Sequence, residues 1–565
     1  MKFAFNLEEK ILLNRKTRIF VLLCVLLCLT FFLGKDLNIF RNQMFEFHDI
    51  SQGARVQQFA LNLETLHIPP RMAPDFSFGL GMPVFNYYAP TSYWITSFLH
   101  IIGFNIINAL KLSFLLAILG SFISSFLFLK QFFKYYESLF GAVVYSTSLY
   151  IAVDIFVRGN LAETWFITLF PLALYTIFKT AKTYDKRYFA LNILVLTLLF
   201  SVHNILSLFS IPILLVYVIL LDNKKLNIIA FILSILLSAY YFLPLFLESN
   251  LVYAQEIAKQ TDYRLHFLCP FQLWNSPWGY GGSIEGCTSD GLSFKLGRPQ
   301  AMLLLGGLSL FILNFIKDKK KNLYKIGLFL LIVTMSSFFL TTNVSSFLWS
   351  IFEPFLAIVQ FPWRFISFSL IGIAYMSSYF ISTVNIPYKS VIILMGVSGI
   401  LFINSKYFHG QLIQNDVFEQ KYLSDEFIQK NAAYKVPEYL PKDADYSYWK
   451  NLENKNTSEL KYKSATIMND NSFNKTIKPS SNEVILPIHY FPNWQILVND
   501  KVYYPNRLDA LGRPILVGLN NQKIHINFHQ TSTEKLGNTI TIFTFILIIY
   551  LIAIHKRLWN HQRKK

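Results

Sequence analysis

Charge is scarce in this sequence. Of 565 residues only 15% are Asp, Glu, Lys or Arg, where a soluble globular chain carries about a quarter. Cysteine is scarcer still, four in all, with no Cys/His spacing of the kind that holds zinc. No Walker-type or dinucleotide-type glycine loop is present, and no repeat of solenoid period. Acidic residues are outnumbered, 33 against 51 basic, for a net charge of +18. A nucleic-acid binder would gather that excess into a stripe. Here it falls in short clusters between apolar runs, so it reads as membrane topology, and no nucleic-acid partner is expected.

What is abundant is apolar surface: 53% hydrophobic residues, 17% aromatic, and a mean hydropathy of +0.39. Many runs approach the roughly 20 residues that cross a bilayer. About twelve spanning helices are expected, with cores at 18–33, 109–130, 138–155, 164–179, 188–203, 205–221, 226–246, 299–316, 324–340, 364–383, 389–404 and 537–555. Alternate connections are basic: Lys130/Lys134, Lys179/Lys182/Lys186/Arg187, Lys224/Lys225, the run Lys317–Lys321, and the tail Lys556/Arg557/Arg563/Lys564/Lys565. The positive-inside rule puts these, and both termini, in the cytoplasm. The first segment follows a basic start (Lys10, Arg15, Lys16, Arg18) but lacks a small-residue cleavage site, so an uncleaved first helix is expected. Cys24 and Cys28 lie inside it as ordinary helix residues. Cys269 and Cys287 share one outer loop and would pair if that face is oxidising.

The fold class is therefore an α-helical polytopic membrane protein with a small extracytoplasmic β-sandwich-like domain. The expected division is a transmembrane domain over 1–404 with a first outer loop at 34–108, an extracytoplasmic domain over 405–536, and a last helix with a basic tail over 537–565. Residues 405–480 show no clear period. Residues 482–530 alternate in EVILPIHYF, WQILVNDKVYY, RPILVGL and QKIHINFH, and Val498-Asn499-Asp500-Lys501 predicts a tight hairpin turn.

The outer segments carry the candidate chemistry. Phe45–Pro90 holds Asp49, His48, Arg55 and Arg71 among aromatic residues, Gly and Pro. Ile50–Leu66 has the apolar spacing of one amphipathic helix, expected to lie along the outer membrane surface. Asp49 at its start reads either as a cap, with Gln52 completing a capping-box-like pattern, or as a general base; the two are compatible. In the second outer turn, Arg158, Asn160 and Glu163 read either as a surface pair or as a second carboxylate for an acceptor or a divalent ion, with Asp49 and Glu163 the metal ligands if there are any. His203-Asn204 is a polar pair at a helix end that something must satisfy. Arg364, in Gln360-Phe361-Pro362-Trp363-Arg364, either snorkels to lipid phosphates or grips the phosphate of a lipid-linked substrate. The loop 247–298 offers Asp262, Arg264, His266, Trp274, Trp278 and Gly279–Gly282, which suit sugar stacking or an interfacial belt.

In their order, HDISQGAR, IPPR…GLGMPVFNYYAP, VRGNLAE, HN and QFPWR resemble a group of prokaryotic multi-pass membrane proteins called "6-pyruvoyl-tetrahydropterin synthase-related", within the wider GT-C glycosyltransferase superfamily. PNWQILVNDKVYY…LGRPILVGL resembles the extracytoplasmic domain of bacterial glycosyltransferases that decorate lipoteichoic acid. The resemblance implies a prokaryotic cytoplasmic (inner) membrane enzyme that moves a sugar from a polyprenyl-phosphate donor to an extracytoplasmic glycan or lipid acceptor. It puts Asp49 at the place of the catalytic acid of the first outer loop, Glu163 at that of the second, and Arg364, with Arg158 next, at the carrier phosphate. His48, Arg55, Arg71, Asn160 and His203 are the further candidate substrate-binding residues. No DxD-type pair stands in the second turn, so no cofactor is assigned. A transporter or flippase of lipid-linked sugars, or a non-catalytic envelope assembly protein, are the alternative readings.

Overall fold

The computed structural model describes residues 14–258, 260–288, 290–315, 322–453 and 465–553. Lys10, the run Lys317–Lys321 and the tail from Lys556 lie outside the described residues.

Among the described residues, helices overlap each of the expected apolar cores. The first, Arg15–Leu33, starts where the Asn14 side chain accepts from the Lys16 amide, and its Leu- and Phe-rich run holds few residues that compete with the helix. Seven helices among the described residues are long and apolar enough to cross a bilayer: Arg15–Leu33, Ile106–Leu129, Leu161–Thr183, Arg298–Phe315, Leu323–Thr341, Pro362–Thr383 and Ser532–Ala553. Two bent pairs would raise the number to nine: Tyr135–Ser146 with Leu149–Phe156, at 40°, and Lys225–Leu237 with Ala239–Leu247, at 65°. Three of the expected twelve are shorter: Lys186–Phe200, Asn204–Leu220 and Lys389–Ser405. At 1.5 Å per residue these reach about 23–26 Å, under the roughly 30 Å of a hydrocarbon core.

The two ends of the bundle differ in kind. At one end the basic connections meet. Tyr135 Oη donates to the Arg18 carbonyl, Asn223 Nδ2 to the Ala181 carbonyl, and Lys389 Nζ reaches Glu137 at 2.8 Å. At the other end the long segments fold on one another. Strand Gln43–Glu46 of the first loop pairs antiparallel with strand Gln411–Gln414. Tyr87 Oη donates to the Glu248 carbonyl, and Thr341 accepts from the Leu268 amide.

The first loop contains the expected helix, Gln52–Glu64, but the protein itself covers most of it. Its polar face is buried as well as its apolar one: Gln52, Arg55, Gln58 and Asn62 are all inside. Gln58 exchanges hydrogen bonds with Asp75, Asn62 Nδ2 donates to the Gln58 and Met72 carbonyls, and the Val56 carbonyl accepts from Ser97. An amphipathic pattern fixes which face is apolar. It does not distinguish lipid from protein as the cover.

In the outer block, residues 415–453 form short helices over the first loop. After them come two antiparallel sheets. One orders its strands Ala465–Asp470, Asn474–Pro479, Ile524–Phe528, Trp494–Val498, Lys501–Val502; the other orders Glu483–Ile485, Pro514–Val517, Arg507–Leu508. Period-two burial in Trp494–Val498 buries Trp494, Ile496 and Val498. Asn499 and Asp500 both have positive φ, 50° and 60°, as a two-residue hairpin of primed type requires.

Candidate functional site

The first two outer segments are joined through their backbones. The His48 amide donates to the Val157 carbonyl and the Asp49 amide to the Arg158 carbonyl, both at 3.0 Å. Gly159 makes the approach feasible: its φ is +63°, and a Cβ there would sit 2.2 Å from the Phe47 ring.

Asp49 does not cap the helix with its side chain. Its carboxylate accepts from three side chains: Ser51 Oγ at 3.2 Å, Gln52 Nε2 at 2.7 Å, and Arg55 Nη2. The expected Gln52 partnership is thus present but reversed in sense, since Gln52 donates to Asp49. Arg55 is buried with its guanidinium over the Tyr88 ring at 5.0 Å and the Tyr93 ring at 5.7 Å. Tyr93 Oη in turn donates to Gln52 Oε1 at 2.9 Å. Two of the three donors to Asp49, Gln52 and Arg55, are therefore themselves held in place, while Asp49 keeps 29% of its side-chain surface open.

Arg158 forms a clasp. Its Nη1 donates to Asp154 and to Glu163 Oε2, the latter at 2.7 Å, and its guanidinium lies 4.4 Å from the Trp363 ring centre. Glu163 Oε1 accepts from Tyr150 Oη and from Ser367 Oγ. Asn160 is the cap that starts this helix, its Oδ1 accepting from the Glu163 amide. Four elements are pinned on one carboxylate.

Arg364 is near but differently employed. Its Nη1 donates to the Val359 carbonyl at 2.8 Å, and its buried Nε has no partner among the described residues. It is within electrostatic reach of Glu163, Arg158 and Tyr88. His203 Nδ1 accepts from the Leu206 amide, which puts the ring's proton on Nε2, and Arg364 and Glu163 are its charged neighbours. His48 is exposed and its Nε2 meets the Tyr280 carbonyl at 2.9 Å, tying the first loop to 247–298.

Arg71 lies elsewhere. It donates to Asn86 Oδ1, the Tyr240 carbonyl and Asn538 Oδ1, with buried Glu534 4.0 Å away. That arrangement fastens the first loop to the last helix, far in bonding terms from Asp49. In the loop 247–298, Cys269 and Cys287 are bonded, with Cα atoms 5.5 Å apart. Arg264 pairs there with Asp262 and Glu353.

The donor set does not suit a divalent ion. Both Glu163 oxygens are taken by Arg158, Tyr150 and Ser367, and no group of three His, Cys, Asp or Glu gathers among the described residues. A cation site needs several free oxygens at one point.

Several residues of the site escaped the sequence reading. Asp154 sits in the apolar run LYIAVDIF, four residues before Arg158, and that i, i+4 spacing was the available signal. Glu438 had none. It arrives from the outer block, on the short turn Pro437–Tyr439, and Arg55 and Asp49 are its charged neighbours. Burial pushes its carboxyl up to about 7; Arg55 pulls it down and Asp49 pushes it up by less.

Residues 85–275 match the model of a family described as "6-pyruvoyl-tetrahydropterin synthase related domain; membrane protein". That stretch includes NYYAP, VRGNLAE and HN, three of the motifs that carried the resemblance. No curated protein matches the sequence. Among solved structures the chain is similar to the arabinofuranosyltransferase AftD from Mycobacteria, at 14% identity and a TM-score of 0.44, over 70% of this chain and 26% of that one. It is also similar to the Archaeoglobus fulgidus oligosaccharyltransferase in its apo form, at 11% identity and a TM-score of 0.45, over 74% of this chain and 60% of that one. The chain thus spans about a quarter of the length of the mycobacterial protein.

Proposed function

We propose that this protein is a membrane glycosyltransferase that moves one sugar, with inversion, from a polyprenyl-phosphate carrier to an extracytoplasmic glycan or lipid acceptor. We take the end bearing Asp49 to face outward and both termini to face the cytoplasm of a prokaryotic cell, following the basic connections. The membrane domain 1–404 carries the site, and 405–536 covers it.

One observation carries the reading: Asp49 is held by backbone hydrogen bonds against the turn whose Arg158 and Glu163 neighbour Arg364. A partly exposed carboxylate and an arginine with an unspent N–H thus stand at the same end of the bundle. Arg364 suits a phosphate better than Arg158 does, because Arg158 already spends its charge on two carboxylates. In the transfer, an acceptor hydroxyl gives its proton to a carboxylate and its oxygen bonds the anomeric carbon. The bond from that carbon to the phosphate oxygen breaks, and the lipid phosphate leaves with the electron pair, stabilised by Arg364. Asp49 is the proposed base. Arg55, Gln52 and Ser51 fix its geometry.

The decisive assay is transfer from radiolabelled polyprenyl-phosphate sugar in reconstituted membranes. Asp49→Asn keeps the shape and removes the charge, and should lower turnover at least ~100-fold, in line with loss of a general base. Full turnover in that variant removes Asp49 from the chemistry. Lipid translocation without sugar transfer by the unaltered protein would put a flippase in place of the enzyme.

A further inference from the structure

A cleft of about 580 Å³ lies on the outer block, away from Asp49. One wall is the first sheet, with Trp494, Gln495 and Tyr503; the other is built from 250–251 and 441–443. We propose that this cleft binds a neutral oligosaccharide.

The volume lies within the roughly 300–1,000 Å³ of small-ligand sites. Its lining is aromatic on one side and polar on the other. Tyr490, Trp494, Tyr503 and Tyr504 all border it, and Tyr504 leaves 75% of its surface in water. A ring so exposed gains by covering an apolar face. Gln495 and Asn250, both reached by solvent, offer amides on the cleft's two walls, hydrogen-bonding partners for ligand hydroxyls.

Charge decides against an anion. Lys442 and Asp443 oppose one another at the rim, and Lys442 already pairs with Glu256 at 2.7 Å. No arginine is among the described residues that line the cleft, so nothing there would grip a phosphate. An acyl chain would leave the amides of Asn250 and Gln495 unmet. The ligand that matches flat apolar faces, many hydroxyls and no charge is a chain of sugars. That this chain is the acceptor of transfer rests on the glycosyltransferase reading; that it binds does not.

The test uses the full-length protein in lipid nanodiscs, titrated calorimetrically with gluco-, galacto- and manno-oligosaccharides of about five units and, separately, with inorganic phosphate. Saturable binding of at least one oligosaccharide is expected, undisturbed by phosphate. Tyr504→Ala, at a site too exposed to threaten folding, and Gln495→Ala, which removes one amide from the lining, should each weaken it about five- to tenfold. Binding of none of the three, binding indifferent to both substitutions, or displacement by phosphate overturns the proposal. In the transfer assay Tyr504→Ala should raise the acceptor KM and spare kcat. Oligosaccharide binding by a protein without transferase activity would sink the enzyme and leave the cleft, whereas transfer without oligosaccharide binding would sink the cleft alone.

Discussion

Glu438 changes its charge close to neutral pH, and it does so beside Asp49 and Arg55. Burial favours the protonated carboxyl, so between its ordinary 4.5 and about 7 the folded protein holds a proton that the unfolded chain releases. Glu438 therefore contributes stability that fades as pH rises through this window. Its effect on turnover has the opposite sign. Loss of the proton from Glu438 adds a second negative charge near Asp49, which favours transfer of the acceptor's proton. Turnover should rise by about tenfold from pH 6 to pH 8, with a midpoint near 7, and Glu438→Gln should flatten that limb while leaving donor KM in place. An unchanged pH profile in Glu438→Gln removes this residue from the site. Asp49, Glu163 and Arg364 could be read as candidates because each stands alone in a polar island between apolar runs. Glu438 could not, since acids are common in its Lys- and Asn-rich neighbourhood and only the tertiary fold brings this one to Arg55.

The turn Val157–Asn160 is the element on which the site is assembled. It accepts two amides from the first loop and presents Arg158 to Asp154 and Glu163. Removing one member of such a buried set leaves an uncompensated charge, so the clasp acts as a fastener before it acts as anything else. Gly159 tests the element without touching a charge. Alanine there meets both a left-handed φ, worth about 1–2 kcal/mol, and the Phe47 ring. Gly159→Ala should cut transfer more than tenfold and expose the first loop to protease, whereas a wild-type rate would mean that the first loop and the turn need not be joined. At this scale the local signals were good. The hairpin at Asn499-Asp500, the alternating strands and the apolar segments follow from turn chemistry and period. The helix Gln52–Glu64 shows where such signals stop: its apolar stripe meets Ser97 and its neighbours rather than lipid, and its polar face is covered by the protein's own loop. Residues 415–453 had no period to read, because their short helices are shaped by what they cover.

At the scale of the molecule, the outer block and the first loop form one cap. The bond that joins them runs through three distant parts of the chain. Trp449 Nε1 donates to Ser77 Oγ at 2.8 Å, Ser77 Oγ donates to His489 Nε2 at 2.7 Å, and His489 Nδ1 donates to the Leu511 carbonyl at 2.7 Å. Every proton in that chain is accounted for only if His489 is neutral. Burial holds it so, pushing the imidazole down to about 4 from its ordinary 6.5. Between these values the unfolded chain takes up a proton that the folded cap refuses, so the contribution is complete above pH 6.5 and is lost as pH falls towards 4. The loss is about 3 kcal/mol at one site, large against the stability of a typical domain. The cap should therefore loosen in acid ahead of the helical bundle. Hydrogen exchange within 405–531, corrected for the intrinsic pH dependence of amide exchange, should accelerate from pH 6.5 to pH 4.5, while the helical circular dichroism of the bundle holds. His489→Gln keeps a donor and an acceptor but does not titrate. It should start less stable at pH 7 and then lose less over the same interval. Equal pH slopes in the two proteins would assign the acid response to the carboxylates of the cap instead, and would cut the link between this buried imidazole and the closure of the outer face over Asp49.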